Sequence, residues 1–223
     1  MKFTLLFLVP LVLFTSCVKD DFVADTVDPI LRIDQAVDTL AINTEFRFTA
    51  LYLNNIGTAE EVSILWQSSA TDIISIDLSG LAQALQVGST IITATFNDGN
   101  QLVQDSIEVH VGEETVIVNS DRSGVIATTS SYLLRGDFTL SAVGNGLELS
   151  IADNYRASTA LPGLYVYLSN NPNTIANAYE IGPVTTFSGA HSYTIPAAGI
   201  NDYNYVLYFC RPFNVKVGDG EIQ

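Results

Sequence analysis

The stretch Tyr205–Val217, YVLYFCRPFNVKV, decides how the second half of this chain is read. Side chains alternate across a strand with a period of two, so Tyr205, Leu207 and Phe209 share one face and Val206, Tyr208 and Cys210 share the other. The first set is wholly aromatic or aliphatic and is predicted to face the core. The second places Cys210 on a more mixed face, just ahead of Arg211 and Pro212. Proline has no amide to donate and so interrupts or edges a ladder. Alternation resumes with apolar Phe213, Val215 and Val217. Cys210 is therefore expected at a strand end beside a break, where a thiol can be reached.

Outward from that stretch, the composition is that of an all-β protein. A chain of 223 residues holds one large domain or two of the common size of about 100–150 residues. Hydrophobic content of 48%, with ten Tyr and eleven Phe, is enough to bury a core in each of two. Frequent Thr, Val, Ile and Tyr favour strands over helices. The expected architecture is two β-sandwich-like domains in tandem. The formal charge of −15 would repel phosphate backbones, which are held by Lys and Arg, so nucleic acid is excluded as a partner.

Residues 1–16, MKFTLLFLVPLVLFTS, run from a basic residue through an apolar stretch to small residues, the layout of a secretory signal. The run is too short to span a bilayer, and Pro10 interrupts it. FTSC, Phe14–Cys17, resembles a bacterial lipobox, which implies cleavage ahead of Cys17 and acylation of its thiol. The VKDD that follows resembles the export signal that carries some bacterial lipoproteins to the cell surface. These resemblances imply an outer-membrane lipoprotein, tethered through its N-terminal lipid and exposed on the cell surface. Residues 17–29 carry Asp20, Asp21, Asp25 and Asp28 with no apolar periodicity and read as a solvated tether.

Between Ile30 and Gly112, short apolar runs alternate with turn signals: ILRI, DTLAI, EFRFTALY, VSILWQSS, IISID, LAQAL, STIITATF and DSIEVHV. Phe46, Phe48 and Ala50 alternate with Arg47 and Thr49. Ile107, Val109 and Val111 alternate with Ser106, Glu108 and His110. Asn97-Asp98-Gly99-Asn100 carries the Asp-Gly pair of tight hairpins. The string ILWQSSATDIISIDLSGLAQALQVGSTIITATF resembles the bacterial immunoglobulin-like group 2 domain, with Asn43 where a glycine is common. That resemblance implies a spacer or adhesive module across residues 30–112, with Trp66 a packed core residue and His110 on the wet face.

Residues 118–123 read as a polar bridge, and residues 118–223 as a second domain. Its runs are IATT, LLRGDFTL, GLELSI, GLYVYLS, YEIGPV, HSYTI, NYVLYF and FNVKV. Leu147, Leu149 and Ile151 alternate with Glu148 and Ser150, as in a half-buried strand. Three blocks, LPGLYVYLS at 161–169, SGAHSYTIP at 188–196 and YNYVLYFCRPFNVKVG at 203–218, together resemble the DM-thirteen domain, an electron-transfer module in its family's own description. The resemblance maps the family's characteristic cysteine onto Cys210 and implies a redox thiol, or a ligand to a prosthetic group such as haem, with a redox partner.

Three readings of Cys210 stand beside each other. With Cys17 lipidated it has no disulfide partner, and free cysteine is among the most buried residue types, so it can be a small core hydrophobe. It can instead be a thiol activated by the fixed charge of Arg211, or an iron ligand with His191. A zinc site needs about four soft or nitrogen ligands, and Cys210, His110 and His191 are too few. No Gly-x-Ser-x-Gly occurs, and the two histidines fall in separate domains, which sets a Ser-His-Asp hydrolase aside. The carboxylates spread along turns, and Asp98-Gly99-Asn100 lacks calcium-loop spacing. The alternative function is a non-catalytic surface module that binds glycan or protein through aromatic residues such as Tyr165, Tyr167 and Tyr208.

Overall fold

Runs of alternating apolar residues become strands, and the turns between them use Asx and glycine geometry. The computed structural model describes residues 25–34, 37–118 and 120–223. The signal segment and Cys17 lie outside the described residues. The fold is all-β; among the described residues the only helical element is one 3-10 turn, Arg211–Phe213.

The first unit contains β1 (Ile30–Ile33), β2 (Val37–Ala41), β3 (Glu45–Arg47), β4 (Ala50–Leu53) and β5 (Leu65–Ser68). It continues with β6 (Ile74–Ile76), β7 (Leu81–Ala84), β8 (Gly88–Asn97), β9 (Leu102–Gly112) and β10 (Val116–Ile117). A five-stranded sheet, β10-β2-β9-β8-β5, faces a three-stranded sheet, β3-β7-β6, and the β1-β4 pair. Leu40, Phe48, Trp66, Ile74, Ile92 and Val109 form the core between them. The run EFRFTALY is not one strand: β3 pairs with β7 and β4 pairs with β1, and at the changeover the Phe48 amide donates to the carbonyl of Gly80. Asn43 has φ 62°, a left-handed conformation open to glycine and, at low cost, asparagine. β10 pairs with β2, so the first unit extends past Gly112, and the connector is only what lies between Ile117 and Arg122.

The second unit contains β11 (Arg122–Thr128), β12 (Leu134–Val143), β13 (Gly146–Ile151), β14 (Arg156–Ala157) and β15 (Leu164–Ser169). It is completed by β16 (Tyr179–Pro183), β17 (His191–Pro196), β18 (Tyr205–Cys210) and β19 (Val215–Glu221). All belong to one sheet, ordered β16-β15-β18-β19-β11-β12-β13-β17, with β14 beside β12. The sheet curls around a single core that includes Ile126, Phe138, Leu149, Val166, Tyr208 and Val217, giving a nearly closed barrel. The curl needs close approach at the β11–β19 seam. A Cβ on Gly124 would stand 2.0 Å from the Glu221 carbonyl oxygen, and one on Gly220 would stand 2.8 Å from the Phe138 ring. Glycine is required there because backbone carbonyls and the Phe138 ring occupy the space a side chain would take.

The two units meet in polar contacts. Arg32 donates to the Asn201 carbonyl at 2.7 Å and to Asn204 Oδ1. Asn201 Nδ2 returns a bond to the Asp34 carbonyl at 3.0 Å, and Asn171 Nδ2 donates to the Asp25 carbonyl at 2.5 Å. Gly57 lies so close to Asn170 that a Cβ would meet its carbonyl oxygen at 2.7 Å.

Candidate functional site

β18 is covered on both faces, and this overturns the expected position of Cys210. Val206, Tyr208 and Cys210 point into the main core, while Leu207 and Phe209 join Tyr167 in a second cluster on the outer face, beneath Ile175 and Ala178. The alternation was legible, but the inward and outward assignments are exchanged. An aromatic set can sit outside because the loop between β15 and β16 supplies a lid for it. Cys210 is free and 1% exposed. The thiol expected to be within reach is thus sealed in apolar packing.

Arg211 does not turn toward that thiol. Its guanidinium donates to Glu180 Oε1 at 3.0 Å and lies over the Tyr165 ring, 5.1 Å from the centroid. The side chain is 54% exposed, and the Glu180 charge raises its already high pKa. Tyr167 completes the group: its hydroxyl contacts Glu180 Oε2 at 3.3 Å, and burial, followed by the Glu180 charge, raises its pKa. Just beyond, the Pro212-led turn throws Phe213 outward, 67% exposed, and Val215 is exposed as well. Of Phe213, Val215 and Val217, where the apolar alternation resumes in sequence, only Val217 is buried: Phe213 falls in the 3-10 turn, and the β18–β19 pairing shifts register between Tyr208 and Phe209.

Tyr208, expected among the surface aromatics, has no exposure. His191, the expected companion ligand to Cys210, begins β17, paired with Ile151, and its ring is held edge-on by Tyr155 at 4.9 Å and Tyr193 at 5.3 Å. The residues do not fit haem. The clefts lined by Phe48 to Ser79, by Thr26 to Tyr205, by Val125 to Arg156, by Leu51 to Tyr203 and by Val37 to Val118 include neither Cys210 nor His191. No sequence signal marked Glu180, which sits in a strand-like run, or Tyr155, which sits in a turn. Each acquires its partners from strands far along the chain.

The outer face of β15, β16 and β18 therefore carries a half-exposed phenol ring, a guanidinium, a carboxylate and a projecting phenyl ring. Such a set can stack on a flat apolar ligand face while accepting and donating hydrogen bonds at its rim. Compared with known proteins, the chain matches no family model and no curated protein.

Proposed function

We propose that this chain is a tethered, non-catalytic surface module whose second unit binds a hydroxyl-rich ligand, a saccharide, on the outer face of β15, β16 and β18. The observation that carries this reading is the Tyr165–Arg211–Glu180 group beside the exposed Phe213. Aromatic rings meet the C–H faces of sugars, and the carboxylate and guanidinium suit paired hydroxyls. The sealed position of Cys210 favours this over an electron carrier, which needs an accessible thiol or room for a cofactor. The lipid anchor and the immunoglobulin-like first unit enter as proposals on the residues that suggested them: a spacer that holds the binding face away from a membrane.

The test is a screen of the protein against immobilised glycans, followed by Tyr165→Ala and Arg211→Ala. Both variants are expected to lose binding while keeping their folding stability, because both side chains are outside the barrel core. Cys210→Ser is expected to bind as the unsubstituted protein does. Glycan binding that survives Tyr165→Ala and Arg211→Ala but disappears with Cys210→Ser would overturn the reading.

A further inference from the structure

Inside the barrel of the second unit, Tyr193 Oη and His191 Nε2 are buried without a hydrogen-bond partner among the described residues, while the Tyr155 and Tyr208 hydroxyls lie close enough to pair with each other, which still leaves one of their two protons unplaced. They are neighbours. The Tyr155 ring lies 4.9 Å from His191 and 6.1 Å from Tyr208, and His191 lies 5.3 Å from Tyr193. Tyr155 and Tyr208 have no exposed surface at all. Buried polar groups are normally paired, so an unpaired phenol, an unpaired imidazole nitrogen and a spare proton of the Tyr155–Tyr208 pair in one place point to a common partner that is not a side chain.

The chemistry of that partner follows from the atoms. His191 Nδ1 is 2.9 Å from the Gly189 carbonyl, which can only accept, so Nδ1 carries the proton. A ring protonated at Nδ1 alone presents a lone pair at Nε2, which asks for a donor. Burial raises the pKa of all three phenols, so they stay neutral hydroxyls, able to donate as well as accept. An anion would meet the Nε2 lone pair unfavourably, and phenols held neutral are poor metal ligands. A barrel of about eight strands encloses little more than its own side chains or one small ligand.

We propose that Tyr155, Tyr193, Tyr208 and His191 form an internal binding site for a small hydroxylic ligand that donates to His191 Nε2 and accepts from the tyrosine hydroxyls. Water and a short alcohol share that chemistry. The site faces inward and is independent of the outer Tyr165–Arg211–Glu180 surface.

The test is a double-mutant cycle on the whole protein with Tyr155→Phe and Tyr193→Phe, each of which removes one hydroxyl and little volume. Each single variant is expected to lower the folding equilibrium constant about fivefold, and the double variant to lose less than the product, because both hydroxyls bind one ligand. The His191 Nε2 nitrogen resonance is expected to move in both variants. Repeating the cycle with methanol distinguishes the sources: coupling that grows, with contacts to the methyl protons, identifies an alcohol, and unchanged coupling with contacts to water protons identifies water. Substitutions that are neutral or stabilising overturn the proposal. So does strict additivity of Tyr155→Phe and Tyr193→Phe, which would mean that the two hydroxyls share no ligand. Should Tyr155→Phe not fold, an unmoved His191 resonance in Tyr193→Phe overturns it equally.

Discussion

The guanidinium of Arg32, in the first unit, donates to the backbone carbonyl of Asn201, in the second, across 2.7 Å. From the other side Arg122 donates to the carbonyls of Ile200, Tyr203 and Ile222. The loop between β17 and β18 is thereby held between two cations. Burial lowers the pKa of both, that of Arg122 to about 10, and the nearby Arg32 charge adds to the effect on Arg122. Asp105 and Asp34 favour the charged form of Arg32 and offset part of its burial cost.

Arg32→Met keeps most of the stem and removes the donors. It leaves the Asn201 carbonyl and Asn204 Oδ1 without their cation, at an expected cost of about 1–2 kcal/mol to the joint. Amide exchange of residues 199–204 should accelerate while the β8–β9 hairpin stays protected. Equal protection of the loop in both proteins would show that the joint does not depend on Arg32.

Buried tyrosines predict the alkaline limit of the fold. Burial raises the pKa of Tyr155, Tyr193, Tyr203, Tyr205 and Tyr208 above the ordinary 10.0. The folded state keeps protons that the unfolded state releases, so this stability is complete below pH 10 and is lost as pH rises through the raised values. Tyrosinate absorbance of Tyr155 and Tyr208, which have no exposed surface, should appear in one cooperative step, together with loss of near-ultraviolet dichroism. Gradual titration near pH 10 with the dichroism intact would contradict the burial.

The sealed thiol makes a chemical prediction. A thiol probe should leave Cys210 unmodified in the native protein and label it in denaturant. Cys210→Ser places a hydroxyl among apolar neighbours and should destabilise by about 1–3 kcal/mol in urea titration, whereas Cys210→Ala should cost less than a polar replacement. Fast native labelling would place the sulfur at a surface.

The seam between β11 and β19 rests on glycine. Gly124→Ala would put a methyl 2.6 Å from the Phe138 ring and 2.0 Å from the Glu221 carbonyl oxygen. The backbone must move, at an expected cost of about 1–3 kcal/mol. Adding Phe138→Leu should relieve the ring clash but not the carbonyl clash, so the double variant should recover only part of the loss. Full recovery, read from denaturation midpoints, would mean that the ring alone demands glycine.

Short-range pattern alone was enough to assign an all-β protein. The period-two alternation at Leu147–Ile151, Ile107–Val111 and Phe138–Leu140 reappears as buried and exposed faces, and the Asp98-Gly99 turn closes the β8–β9 hairpin. These features are local, because pleat and turn geometry depend on residues a few positions apart. The orientation of β18 was not local. Its two faces are both apolar enough for a core, and only the strands packed inside the barrel and the loop laid over its outer side decide which face holds Cys210. The break at Phe48, the short pairings of β10 and β14, and the meeting of Arg211 with Glu180 likewise depend on chain segments distant in sequence. Periodicity tells how a strand is sided; which side meets the interior is settled by what else the folded chain brings against it.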